Sequence, residues 1–351
     1  MRVSWDDLSP RQRRRRKKAI MRHALLAVGG LMVVAAVGLG LWGLFADPKA
    51  PPAEEPPAQP ATQPVMAEIP TEPPTEAPAQ PPEGLAREDG DVVRLGDAVG
   101  SEYALFINAD TNTVLAEKGS AQAIYPASMT KVLTLLVAAR NIEDPKAEFT
   151  VTQALIDPHY RREATITGYR AGDVCTLEDL FYGAGLRSAA DATSGLAISA
   201  AGTEEDFITL MNEACDELEL SEHASFTNTS GLYDRAHTCS LLDMAAIMRA
   251  AMDNELCAEV MSTVKYTTEP TEGAPEGLTF ENKYLRWFHE KQPEGATVLA
   301  CKHGYVQQAQ NCLVTYGVNE AGEHFICVTA RGRDAETMMG DQRYLYSTFG
   351  K

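Results

Sequence analysis

Between Ala24 and Ala46 the chain runs for 23 residues without a charge, ALLAVGGLMVVAAVGLGLWGLFA. As a helix that stretch rises about 35 Å, enough to span a hydrocarbon core of about 30 Å with some tilt. Just ahead stand Arg13-Arg14-Arg15-Arg16-Lys17-Lys18 and, closer in, Arg22. Basic residues beside a span stay on the cytoplasmic side. The pattern therefore predicts a cytoplasmic arm over 1–23, a single-pass signal anchor over 24–46, and everything later outside the cell membrane. Cleavage near Ala46 is the alternative, although the apolar run exceeds the usual signal core of about 7–15 residues. A buried core helix would not need the polybasic flank.

The net charge of −18 is unevenly spread. The arm carries about +7, which leaves about −25 on residues 24–351. A body that acidic repels a phosphate backbone, so nucleic acid is excluded as a partner. From Pro48 to Pro82 lie thirteen of the twenty prolines, interspersed with Ala, Glu, Gln and Thr. Residues 47–88 thus read as a polyproline II spacer reaching on the order of 100 Å, or else as a docking ligand for a proline-recognising partner. Residues 89–351 are a normal size for one large domain.

Within that domain, Tyr103–Asn108 and Thr113–Ala116 read as a hairpin pair of strands. Ser128–Asn141 has the spacing of a helix, with Val132, Leu135, Leu136 and Ala139 on its apolar face. Leu177–Leu186, Asp191–Ala200, Glu204–Leu218 and Leu241–Met252 also read as helices. Thr297–Lys302, Cys312–Val318 and His324–Ala330 read as strands, with a turn at Asn319–Gly322. Strands at both ends and helices between them predict a mixed α/β fold: an antiparallel sheet closed by both chain ends, flanked by helices, with a helical subdomain.

The seven cysteines, at 175, 215, 239, 257, 301, 312 and 327, include no Cys-x-x-Cys pair. Neither a zinc knuckle nor a redox pair is indicated, and no His/Asp/Glu cluster argues for a metal or other cofactor. Most of these cysteines sit in apolar surroundings, as small buried residues do. Cys301 and Cys312 could meet across a strand pair.

Three short segments carry chemistry. In Tyr125-Pro-Ala-Ser128-Met-Thr-Lys131 a helix start puts Ser128 and Lys131 three residues apart on one face. A buried lysine amine loses its proton more easily and can take one from the serine hydroxyl, while the helix N-terminus favours an oxyanion. Taken alone, the pair is equally a cap and a solvated lysine. The second segment is Gly185-Leu-Arg-Ser188-Ala-Ala-Asp191. The third is Ala300-Cys-Lys302-His303-Gly304-Tyr305 at a strand end, where Lys302 supplies fixed positive charge and Gly304 admits close backbone approach.

In this order the three resemble the Ser-x-x-Lys, Ser-x-Asn and Lys-Thr-Gly motifs of the penicillin-recognising serine enzymes. The chain is most similar to the D-alanyl-D-alanine carboxypeptidases, the low-molecular-mass penicillin-binding proteins of the serine β-lactamase-like superfamily. The hairpin Ala104–Leu115, Leu177-Glu-Asp-Leu-Phe-Tyr-Gly183, Phe226-Thr-Asn-Thr-Ser-Gly-Leu232, Asp234, His237, Asp243-Met-Ala245 and the tail Asp341–Phe349 carry the likeness across the domain.

The resemblance implies a cell-wall hydrolase, anchored in a bacterial membrane, that cuts stem peptides ending in D-Ala-D-Ala and is acylated by β-lactams. Ser128 would be the nucleophile, Lys131 its base and Ser188 a proton relay. The N–H groups of Ser128 and Tyr305 would form the oxyanion hole. Lys302, His303 and Gly304 would bind the substrate's end, His303 and Lys302 holding its carboxylate, with help from Arg331 or Arg333.

Two positions depart from the pattern. Ala190 stands where Asn is expected, and His303 replaces Thr. The alternative to a working peptidase is therefore a weak or inactive peptidoglycan-binding module. A class A β-lactamase would need a Glu-x-x-Leu-Asn segment, which is absent, and no Gly-x-Ser-x-Gly elbow suggests another serine hydrolase.

Overall fold

The computed structural model describes residues 84–351. The expected arm and anchor and nearly all of the linker lie outside them. Among the described residues no helix is long and apolar enough to cross a membrane. Leu85 and Ala86 are already buried, so packing begins slightly ahead of the expected boundary at Asp89.

The strands are β1 (Val93–Arg94), β2 (Tyr103–Asn108), β3 (Thr113–Lys118), β4 (Glu148–Thr150), β5 (Val174–Thr176), β6 (Lys265–Thr267), β7 (Thr279–Glu281), β8 (Ala296–Val306), β9 (Gln310–Asn319) and β10 (His324–Gly332). The helices are α1 (Thr130–Asn141), α2 (Gln153–Arg161), α3 (Leu177–Gly185), α4 (Ala190–Ala201), α5 (Glu204–Glu217), α6 (Leu241–Met252), α7 (Glu255–Ser262), α8 (Lys283–Glu290) and α9 (Ala335–Phe349). The main sheet has the order β1-β3-β2-β10-β9-β8. It closes the two ends of the domain on each other, as expected, through the antiparallel pairing of β2 with β10. It is a mixed sheet rather than a purely antiparallel one, because β1 runs parallel to β3.

Both faces of the sheet are covered, so alternate residues of one strand enter different cores. Leu105, Ile107, Ile326 and Val328 join the large cluster with the central helices. Ala104, Phe106, Phe325 and Cys327 join a second cluster with Leu285 and Phe288 of α8 and Leu345 and Tyr346 of α9. α1 is buried through Thr130–Ala138, so that even Lys131 and Thr134 lie inside the domain. α6 starts where it does because Ser240 and Asp243 form a reciprocal cap at its N-terminus.

One irregularity sets the site. β8 carries an extra residue between Val298, opposite Gly317, and Ala300, opposite Tyr316. This bulge reverses the alternation. Val298 and Cys301 face α8 and α9, whereas Ala300 faces the central helices. Lys302 and Gly304 therefore point to the helical side and His303 to the other. The motif expected at a strand end lies inside β8. Cys301 and Cys312 fall in different cores, so they do not face each other; all seven cysteines are free and buried.

Candidate active site

Ser128 sits in a tight turn, Ala127–Met129, which leads into α1 rather than belonging to it. Ala127 holds φ at +47°, a left-handed conformation that costs a non-glycine residue of order 1 kcal/mol or more. Two glycines make room for this turn. A Cβ on Gly231 (φ +79°) would fall 1.8 Å from the carbonyl oxygen of Ala127. A Cβ on Gly304 would fall 2.8 Å from the carbonyl oxygen of Pro126 and 2.9 Å from the amide nitrogen of Ser128. The backbone of β8 thus lies alongside the amide of Ser128.

Lys131, in the first turn of α1, is 2% exposed. Its Nζ is 3.2 Å from Ser128 Oγ and 2.6 Å from the carbonyl oxygen of Ser230. Burial pushes its pKa well below the usual lysine value; the charge of Lys302 pushes it the same way, and Asp191 opposes both. The result is an amine able to accept a proton from the serine beside it.

Ser188, itself left-handed at φ +62°, comes from the segment between α3 and α4. Its Oγ accepts a hydrogen bond from Lys302 Nζ at 2.9 Å. Lys302 also donates to its neighbour's carbonyl, His303 O, at 3.0 Å. It is 3% exposed, and burial lowers its pKa to about 8. Burial thus holds its charge less firmly than that of a solvated lysine. The structure thus brings Ser128, Lys131, Ser188, Lys302 and Gly304 together around one cleft. Tyr305 follows on the strand and is 58% exposed.

His303 is elsewhere. Its ring stacks on Tyr284 of α8 with centroids 4.0 Å apart, and its buried Nε2 has no hydrogen-bond partner. Desolvation, then the charge of Lys302, hold its pKa down to about 3. The expectation that this imidazole shares a substrate carboxylate with Lys302 is corrected by the strand's alternation: adjacent side chains leave a strand on opposite faces. Arg331 Nε donates to Glu102 at 2.6 Å, and Arg333 Nε to Asp334 and Thr337.

Residue-type reasoning assigned no role to the loop 227–237, which builds the wall behind Lys131. Asn228 Oδ1 accepts from the amides of Ser230 and Gly231 and so shapes the turn that presents the Ser230 carbonyl. His237 fastens the loop. Its Nδ1 accepts from the Thr227 amide, which leaves Nε2 to donate to Thr130 Oγ1 at 2.7 Å, at the start of α1. Asp191 anchors the segment after Ser188 by accepting from the amide and hydroxyl of Thr167. Ala190, 2% exposed, has only backbone hydrogen bonds, its amide donating to Thr165 O and its carbonyl accepting from Thr193 Oγ1. The sequence signal for the loop was Asn228-Thr-Ser-Gly231, a turn-forming run. No cluster of His, Cys, Asp and Glu able to hold a metal occurs among the described residues.

Residues 92–332 match the family model for D-alanyl-D-alanine carboxypeptidase, peptidase S11. The D-alanyl-D-alanine carboxypeptidase DacF of Bacillus subtilis (strain 168) is 27% identical over 234 residues, covering 66% of this chain and 57% of that relative. A D-alanyl-D-alanine carboxypeptidase of Streptomyces sp. (strain K15) is 29% identical over 179 residues, covering 49% of this chain and 60% of the relative. The chain thus spans less than two thirds of the length of either. The crystal structure of the Streptomyces K15 DD-transpeptidase superposes with a TM-score of 0.65 at 23% identity, over 72% of this chain and 98% of that one.

Proposed function

The chain belongs to the D-alanyl-D-alanine carboxypeptidase family, peptidase S11, and from that premise we propose that it is a serine peptidase removing the terminal D-alanine from peptidoglycan stem peptides. The observation that carries this reading is Lys131 Nζ, buried, depressed in pKa and 3.2 Å from Ser128 Oγ. As Ser128 attacks the peptide carbonyl, its proton passes to the neutral Lys131 amine and the carbonyl electrons move onto oxygen. The amides of Ser128 and Tyr305 stabilise that oxyanion, a contribution of about 3–4 kcal/mol per donor. Collapse of the tetrahedral adduct expels D-alanine, whose amine takes a proton through Ser188. Water then releases the shortened peptide from Ser128.

Lys302 supports selection for a free C-terminus, because a buried ammonium bonded only to Ser188 and a carbonyl gains most from an arriving carboxylate. Lys302 fills this role without the His303 ring. β-Lactams would acylate the same serine. In this proposal Ala24–Ala46 tethers the protein to the cell membrane, and the proline-rich spacer holds the domain out toward the wall.

A second reading rests on Ala190. Its methyl group brings no amide to Lys131 or to the substrate carbonyl, which favours a slow enzyme or a binding module. Intact-mass measurement with penicillin, together with assay of D-alanine released from a pentapeptide, tests both readings. One adduct and released D-alanine, both lost in Ser128→Ala, support the peptidase. An adduct without release supports a weakened site, and no adduct at all overturns the peptidase and favours a non-enzymatic module.

A further inference from the structure

The carbonyl that receives Lys131 is itself held from behind, by side chains that take no part in the reaction. Lys131 and Thr134 lie three residues apart on one face of α1. Successive carbonyls of the loop 227–237 meet them. Ser230 O accepts from Lys131 Nζ at 2.6 Å, and Thr229 O accepts from Thr134 Oγ1 at 2.7 Å. A backbone fastened by Thr134 alone is free to pivot about that bond. The side chain of Thr229 supplies a second attachment. Thr229 is fully buried, and its hydroxyl donates to Glu204 Oε1 at 2.8 Å.

Glu204 is the first residue of α5, where the helix N-terminus favours a carboxylate. Capping does not require it, because the Thr203 hydroxyl already accepts from the Asp206 amide. Its second oxygen, Oε2, accepts from Ser194 Oγ of α4 at 3.1 Å. Ser194 has only one proton to give, so His159 Nε2, 2.9 Å away, donates to its oxygen. That tautomer leaves Nδ1 bare, and His159 Nδ1 is indeed a buried atom with no hydrogen-bond partner. Burial lowers the pKa of the ring and keeps it neutral. Thr193, also on α4, donates to Ala190 O at 2.7 Å and lies 3.1 Å from Thr229 Oγ1. The Glu204 carboxylate thus joins α2 and α4 to the loop that faces Lys131.

We propose that Glu204 is a positioning residue for the proton transfer from Ser128, aiming the Ser230 carbonyl at the Lys131 amine through the Thr229 hydroxyl. The inference rests on the reading of Lys131 as the base. Ala190 brings no amide to that amine, so the direction of the Ser230 carbonyl governs the 3.2 Å separation of Lys131 Nζ from Ser128 Oγ.

The test uses the full chain and follows penicillin acylation over a range of concentrations, which separates the limiting rate from the half-saturating concentration. Thr229→Val keeps the shape and removes the hydroxyl. It should slow the limiting rate about tenfold and leave half-saturation unchanged, whereas Thr229→Ser should keep the unsubstituted rate. Glu204→Gln retains an acceptor for only one of the two hydroxyls and should slow the same step. Because the two residues act through one hydrogen bond, the Thr229→Val, Glu204→Gln double variant should be no slower than the slower single variant. An undiminished rate in Thr229→Val overturns the proposal, as do effects that multiply in the double variant. In parallel, the Lys131 Cε resonance of protein carrying isotopically labelled lysine is titrated without penicillin. A lost carbonyl acceptor disfavours the ammonium, so the midpoint should move to lower pH in Thr229→Val. If the unsubstituted protein forms no adduct, the peptidase reading fails and the titration decides alone. A moved midpoint then leaves the positioning role standing, and an unmoved one ends it.

Discussion

Lys302 Nζ donates to Ser188 Oγ at 2.9 Å, joining β8 to the turn before α4 across 114 residues of sequence. The ammonium is buried, and no carboxylate among the described residues pairs with it. A charge in that position is costly to the fold and valuable to a negatively charged ligand, so its removal should affect the two in opposite directions.

Lys302→Met keeps the volume and discards the charge. We expect kcat/KM for a peptide with a free C-terminal carboxylate to fall on the order of 100-fold, while thermal stability holds or rises. Steady-state kinetics and a melting curve on the same sample check both. Loss of stability in parallel with activity would contradict the account of an uncompensated charge.

The pH profile follows from the same group. With a pKa lowered to about 8, Lys302 is cationic below that pH and neutral above it. KM for the carboxylate-ended peptide should therefore rise as pH passes through about 8. Lys302→Arg keeps its charge over that range, so its alkaline limb should disappear even if its overall rate is lower.

Ala190→Asn restores the amide that the family pattern carries at this position. The acylation rate with penicillin, measured by stopped-flow or quenched mass spectrometry, should rise about tenfold; one missing donor typically costs at least that much. An unchanged rate would mean that the Ser230 carbonyl, 2.6 Å from Lys131 Nζ, already steadies the amine sufficiently.

Gly231→Ala introduces a Cβ against the Ala127 carbonyl at a backbone φ of +79°. Both the overlap and the left-handed conformation act against it. Urea denaturation should show a loss of about 2–4 kcal/mol, and acylation of Ser128 should slow because the displaced atom belongs to the preceding residue.

Acid stability should be governed in part by His237. Burial holds its pKa down to about 4, against 6.5 for the free side chain. A depressed folded-state pKa means that the unfolded chain binds the proton more readily. Stability is therefore complete above about 6.5 and falls as pH drops toward 4, by on the order of 3 kcal/mol. Protonation would also turn Nδ1 from acceptor to donor and break the bond from the Thr227 amide. Urea titrations between pH 7 and 4 should show this slope, and His237→Gln should flatten it.

Much of the architecture was legible because its signals are local. α6 occupies the residues its apolar spacing predicted, 241–252, and β2 and β3 fall on the two expected strands of the hairpin. α2, α7 and α8 were not anticipated. α2 contains Pro158, which disguises its pattern, and the other two are only eight residues long. α8 matters most, since Tyr284 on it receives the His303 ring.

Ser128, Lys131, Ser188 and Lys302 were nameable from the chain because a hydroxyl and an amine at set spacing are themselves the chemical signal. Which way each points was not. The bulge between Val298 and Ala300 turns Lys302 toward Ser188 and His303 away from it, yet it leaves no mark in Val298-Leu-Ala-Cys301, an apolar run without alternation. The Ser230 carbonyl is equally silent, since every residue has one. Residue identities therefore specified the reactive groups. Their orientation and altered acidity came from the folded chain alone, because strand phase and desolvation depend on atoms brought together from remote segments.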